Sequence, residues 1–207
     1  MAKILVDDWE YVEVKNMLVH VPAAKTVDTI LREYIEERKK NFKQTESKNL
    51  AKLGDWVTEW SFRENAAGIK RNFNHIFGAQ NLYRIERLQF AEILKNMENE
   101  NKQEAKKNLT DAGKKSRASR SASTEDFPNK TVIEYDFTHK YGPIHLLRSF
   151  FQFDHVLVNE LRPDIHETTL AFLLDFLDFL NEHREEYFSK DQYFTPPLEY
   201  SRKALNN

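Results

Sequence analysis

The segment AGIKRNFNHIFGAQNLYRIERLQFAEIL, Ala67–Leu94, constrains the fold more than any other stretch. Ala66, Ile69, Phe73, Ile76 and Phe77 recur at spacings of three and four. One face of a helix is therefore apolar and needs other elements to cover it. Gly78 stands where a helix-ending glycine is expected. Beyond it the chain passes through Tyr83, Glu86 and Arg87 and re-enters helix from Leu88 to about Asn99, with Phe90, Ala91, Ile93 and Leu94 on one face. The segment holds no nucleophile, no metal-ligand cluster and no phosphate loop. So many aromatics with so little chemistry between them point to a protein that binds proteins rather than one that transforms a substrate.

The helical pattern recurs along the chain. Thr26 and Asp28 open a helix that carries Val27, Ile30, Leu31, Tyr34 and Ile35 toward Lys40. After the Tyr141–Gly142–Pro143 turn, Leu146, Phe150, Phe153, Leu157 and Leu161 form one stripe and Leu147, Phe151 and Val158 a second, as in a helix central to a bundle. Pro163 separates it from a helix over about Glu167–Tyr187, whose wet stripe is Asp175, Asp178 and Glu182. Tyr11–Pro22 alternates apolar and polar residues around Lys15–Asn16 and reads as a short β-hairpin. Trp56, Trp60 and Phe62 mark the approach to the Ala66–Phe77 helix. Pro196–Pro197 precede a short closing segment. The expected fold is mainly α: one domain over residues 3–205, a helical bundle with a small N-terminal β-hairpin.

Within it, residues 98–131 are expected to form a long, disordered, low-complexity insertion, rich in Lys, Asn, Glu, Ser and Ala. Its stretch Lys102–Arg120 is basic and offers a weak nucleic-acid contact. A helical nucleic-acid-binding domain is thus the alternative function. The net charge of −2 gives no such signal for the chain as a whole. The absence of Cys excludes disulfides, thiolate zinc sites and cysteine catalysis. The most apolar run, Leu170–Leu180, is about half of a membrane span and carries two Asp, so no membrane segment is expected and the chain reads as soluble and intracellular.

No constellation for chemistry emerges. The seven His show neither His-x-x-His nor His-x-x-x-His spacing. Asp7–Asp8 read as caps of backbone amides, and Glu86–Arg87 as a surface ion pair of small weight. Trp9, with Leu5 and Val6, suits either core or a partner groove. No catalytic residue, metal site or cofactor is assigned.

Six blocks then fall in one family's order: LVDDWEY at Leu5–Tyr11, VPAAKTVDTILREY at Val21–Tyr34, the Ala67–Leu94 segment, YGPIHLLRSF at Tyr141–Phe150, LAFLLDFLDFL at Leu170–Leu180 and PPLEYSRKAL at Pro196–Leu205. Together they resemble the MRG (mortality-factor-related) domain of chromatin-associated scaffold proteins. The resemblance implies a non-enzymatic, nuclear adaptor of histone acetyltransferase and histone deacetylase complexes, acting in chromatin and transcription regulation. It implies binding of short partner segments, some of Phe-x-Leu-Pro type. It lines a hydrophobic pocket with Leu5, Val6, Trp9 and Leu173, and places Tyr83, Glu86 and Arg87 along a groove with His145 and Arg148 nearby, Glu86 serving as a polar anchor at the rim. Two departures stand out. Leu88 replaces a common Pro, and about 40 residues stand in place of a short loop before Tyr141. No chromodomain segment precedes Lys3, so reading of histone marks is not expected of this sequence.

Overall fold

The computed structural model describes residues 1–40, 50, 53, 57–112, 135–150 and 163–206. Helix α1 (Ala2–Trp9) runs into a π-helical turn, Glu10–Val14, and strand β1 (Leu18–Val19) follows. Then come α2 (Val27–Lys40), α3 (Glu59–Gln80), α4 (Glu86–Ala112), a 3₁₀ turn (Phe137–His139) and α5 (143–150). Helices α6 (Pro163–Glu182) and α7 (Arg184–Tyr187), a second 3₁₀ turn (Lys190–Gln192), strand β2 (Tyr193–Phe194) and α8 (Leu198–Asn206) complete the order. No helix among the described residues is long and apolar enough to cross a membrane.

The chain divides into two units. One is Met1–Arg87 with Asp136–Asn207, and the other is Leu88–Tyr135. In the second, α4 runs past the expected end near Asn99 to Ala112. Its Glu, Lys, Gln and Ala residues are strong helix formers, and no Gly or Pro interrupts them before Gly113. The rest of the expected insertion, 113–131, lies outside the described residues. So do the stripe residues Phe151, Phe153, Leu157, Val158 and Leu161, and Trp56.

The core of the first unit is aromatic. Tyr34 of α2 meets Phe62 of α3 and Phe176 and Phe179 of α6 edge-on, with centroids 5.8, 4.9 and 5.3 Å away. Phe73 and Phe77 of α3 are fully buried, and Phe77 packs on Tyr141 at 4.1 Å. The periodicity of Ile69, Phe73, Ile76 and Phe77 thus reads correctly as core. Gly78, expected to end that helix, lies inside it. Asn81 caps α3 with its N–H on the Phe77 carbonyl. At the other end Thr58 and Ser61 exchange side-chain and backbone hydrogen bonds in a capping box.

The two-stranded antiparallel sheet forms, but not as a local hairpin. Leu18 pairs with Phe194 and Val19 with Tyr193, so the sheet ties the start of the chain to its end. Tyr11–Val14, expected as the first strand, instead prolongs α1. Four alternating residues fit either form, and the continuous helix from Ala2 decides between them. Asn16 (φ 54°) turns the chain out of it. Gly142 lets the next connection close. A Cβ there would stand 2.6 Å from Ala23 Cβ and 2.9 Å from the Lys25 carbonyl oxygen. That approach allows Ala23 and Val27 N–H to bond the Lys140 and Tyr141 carbonyls, which seats α5 beside the start of α2.

One expected wet stripe is only partly wet. Asp178 and Glu182 are exposed, but Asp175 is buried. Its Oδ2 accepts from Tyr34 OH (2.8 Å) and from Arg38 Nε (2.9 Å), both on α2. Periodicity within α6 cannot report those donors.

Candidate partner-binding cleft

Ala2, Leu5, Val6 and Trp9 fall at i, i+3, i+4 and i+7 on α1 and so share one helix face. They form one wall of a cleft of about 460 Å³. Gln80, Asn81, Leu82 and Tyr83, which leave α3, and Arg148 of α5 complete it. Val6 is 62% and Trp9 52% exposed, so this apolar face is presented and not buried. The helix is anchored by Ile4, with Leu5 at the edge of the cleft face and Met1 just before α1, which pack against a cluster of Val19, Ile144 and Leu147.

A buried ionic network fixes the cleft from behind. Asp8, Glu86, His145 and Arg148 are all buried. Arg148 donates from Nε to Asp8 Oδ2 (2.7 Å) and from Nη2 to Asp8 Oδ1 (2.8 Å), a bidentate pair. Its Nη1 donates to Glu86 Oε2 at 2.6 Å and to the Asn81 carbonyl at 3.2 Å. Its guanidinium lies 4.2 Å from the Tyr83 ring centroid. Glu86 Oε2 also accepts from the Tyr83 N–H, reaching back as a capping-box Glu does. Glu86 Oε1 accepts from His145 Nε2 at 3.2 Å, and Tyr193 OH donates to Asp8 Oδ1 at 2.8 Å. One guanidinium therefore links α1, the α3–α4 connection and α5, while Tyr193 brings in β2.

The electrostatics follow from burial. Burial alone would raise the Glu86 carboxyl, but Arg148 and His145 outweigh it and hold it down at about 2. Burial and then Arg148 lower the His145 imidazole, with Glu86 opposing, so the ring is held neutral. Burial pushes the Tyr83 phenol up to about 12, which keeps it a neutral hydroxyl at the cleft.

Of the residues singled out from the sequence, Leu5, Val6, Trp9, Tyr83 and Arg148 come together at the cleft. Glu86, expected at a rim, is instead buried behind it. An uncompensated carboxylate there would be costly, and Arg148 and His145 compensate it. His145 is buried with it. Arg87 is exposed and is not among the residues lining the cleft, nor does it pair with Glu86, which turns inward. Leu173 is buried on α6 and is also not among the lining residues. Sequence reasoning missed Asp8, which lies inside α1 and caps nothing; its partners Arg148 and Tyr193 are distant in sequence. The Ala2-Leu5-Val6-Trp9 spacing was a usable signal for the wall.

Comparison with known proteins agrees with this architecture. The family model described as MRG matches residues 1–195. The chain is 33% identical over 205 residues to Mortality factor 4-like protein 1 of Homo sapiens, covering 97% of this chain and 43% of that protein. It is 33% identical to the Rattus norvegicus protein of the same name, at 97% and 48% coverage. Mortality factor 4-like protein 2 of Homo sapiens is 32% identical, at 97% and 54% coverage. The chain spans about half the length of these relatives. With the match running over nearly all of its length, the chain belongs to the MRG family.

Proposed function

We propose that this chain is a non-enzymatic protein-interaction adaptor that works in the nucleus, in chromatin-modifying complexes of the histone acetyltransferase and deacetylase type. It binds short segments of partner subunits, of Phe-x-Leu-Pro type, against the exposed face of α1. The observation that carries this reading is an apolar helix face left open over a buried, hydrogen-bonded ionic base. Anchoring side chains of a partner would bury Val6 and Trp9, and a cleft of about 460 Å³ is within the range of ~300–1,000 Å³ usual for ligand pockets. Leu5, Val6, Trp9 and Tyr83 make the contacts. Arg148, Asp8, Glu86 and His145 hold the walls in place, and their preorganisation limits the ordering cost of binding.

Affinity purification of the full-length protein tests this, run in parallel with the Trp9→Ala variant. Acetyltransferase or deacetylase subunits should co-purify with the wild-type protein and be depleted with the variant. Recovery of the same subunits by both would remove the cleft from the account, and recovery of none by either would remove the adaptor role.

A further inference from the structure

A second constellation lies away from the cleft, where α6 breaks into α7. His183 occupies the break (φ −96°, ψ 17°), immediately after Glu182, the last residue of α6. The break turns both side chains toward Glu37 of α2. Ligand atoms of Glu37, Glu182 and His183 all lie within 4.8 Å of one another, and this is the group of that kind among the described residues.

The orientation of His183 suits a cation ligand. Its Nδ1 lies 3.0 Å from the Phe179 carbonyl oxygen, which can only accept, so Nδ1 carries a proton. Its Nε2 lies 3.2 Å from Glu37 Oε2, which also can only accept when ionised. A neutral imidazole has one N–H and cannot satisfy both. A doubly protonated ring would donate to both, whereas a neutral ring protonated on Nδ1 turns a bare Nε2 lone pair toward Glu37, where a cation would be held. A ring whose Nδ1–H is held by a backbone carbonyl, with Nε2 turned to carboxylates, also has the orientation seen in metal-ligating histidines.

The cations nearby are shared among several carboxylates. Lys25 is engaged by Glu33 and Glu186. Arg38 is shared between Asp175, Glu37 Oε1 (3.1 Å) and Glu182 Oε2 (3.9 Å). Glu37 thus gives one oxygen to Arg38 and turns the other to His183. We propose that Glu37, Glu182 and His183 form a divalent-cation site of the zinc class, joining the end of α2 to the α6–α7 junction. One imidazole with two carboxylates suits zinc and its neighbours over magnesium or calcium. Tetrahedral zinc with bonds of about 2.0–2.1 Å sets its ligand atoms roughly 3.3 Å apart. The closure from 4.8 Å falls mainly to Glu182, whose side chain is 58% exposed and would give up its 3.9 Å contact with Arg38.

Calorimetric titration of the metal-stripped chain with zinc chloride, and separately with magnesium chloride, tests the site. One equivalent of zinc should bind and magnesium should not. His183→Ala and Glu37→Gln should each weaken zinc binding roughly tenfold or more, with circular dichroism confirming the fold. His139→Ala, at a different carboxylate cluster, should leave it unchanged. The His183 ring resonances should shift on zinc addition at constant pH. The site is overturned if no equivalent of zinc binds, if both variants bind as the wild type does, if the affinity is lost in His139→Ala instead, or if the His183 ring responds to pH but not to zinc.

Discussion

Two buried arginines invite comparison. Arg38 sits between α2 and α6 with Asp175, and Tyr34 supplies the second donor to that carboxylate. Arg148 sits beneath the cleft with Asp8, Glu86 and His145. The chemistry is nearly the same: a guanidinium, a buried carboxylate and a phenol. The neighbours differ. Arg38 lies 5.6 and 5.8 Å from the core rings of Tyr34 and Phe179, whereas Arg148 forms part of a cleft wall beside exposed Val6 and Trp9. Buried charge alone therefore does not set the proposed binding face apart. What differs at Arg148 is the exposed apolar face of α1 beside it.

The strongest way to break the comparison is to delete each guanidinium. Arg148→Ala leaves Asp8 and Glu86 buried without their counter-charge and should cost about 3–5 kcal/mol in urea unfolding. Arg38→Ala should cost a similar amount, about 3 kcal/mol, by stranding Asp175. The separation lies in peptide affinity, measured on the folded protein. Arg148→Ala should lose it and Arg38→Ala should keep it. Equal loss in both would erase the distinction.

Acid sharpens it next. The Glu86 carboxyl is held at about 2 when folded, against 4.5 ordinarily. Its stabilisation is fully present above pH 4.5 and fades as pH falls toward 2, a loss on the order of 3 kcal/mol. His145 is lowered in the folded state, so its contribution is present above its ordinary value of 6.5 and is lost as pH falls below that. Both groups act in the same direction, because the unfolded chain binds more protons. Melting temperature should fall on acidification in two stages, and Glu86→Gln should flatten the more acidic one. An unchanged profile in that variant would mean that Glu86 is not the titrating group. A smaller loss is expected for Tyr193→Phe, which removes a hydrogen bond to the Asp8 carboxylate, about 1.5–3 kcal/mol by the same unfolding assay.

The helices were legible because local periodicity carries them. Ile69, Phe73, Ile76 and Phe77 are buried as their spacing requires. What escaped was set by distant partners. Asp175 reads as wet until Arg38, 137 positions away, is brought to it. Glu86 reads as a surface charge until Arg148 arrives from 62 positions on. Tyr11–Val14 alternates like a strand, yet the helix entering it prevails and the sheet partner comes from the far end of the chain. At the cleft, Leu5, Val6 and Trp9 were legible as an apolar group, but only α1 packing on Ile144 and Leu147 shows which side stays open.

Two tryptophans give the most direct test of the proposed binding face. Trp9 is 52% exposed at the cleft, and Trp60 is 70% exposed near the start of α3, away from it. Exposure alone would favour Trp60. Titrating a Phe-x-Leu-Pro peptide into Trp9→Ala and Trp60→Ala separates exposure from place. The account predicts a loss of about 2 kcal/mol or more for Trp9→Ala and unchanged affinity for Trp60→Ala. Unchanged affinity in Trp9→Ala with the fold intact, or an equal loss in both, would contradict it.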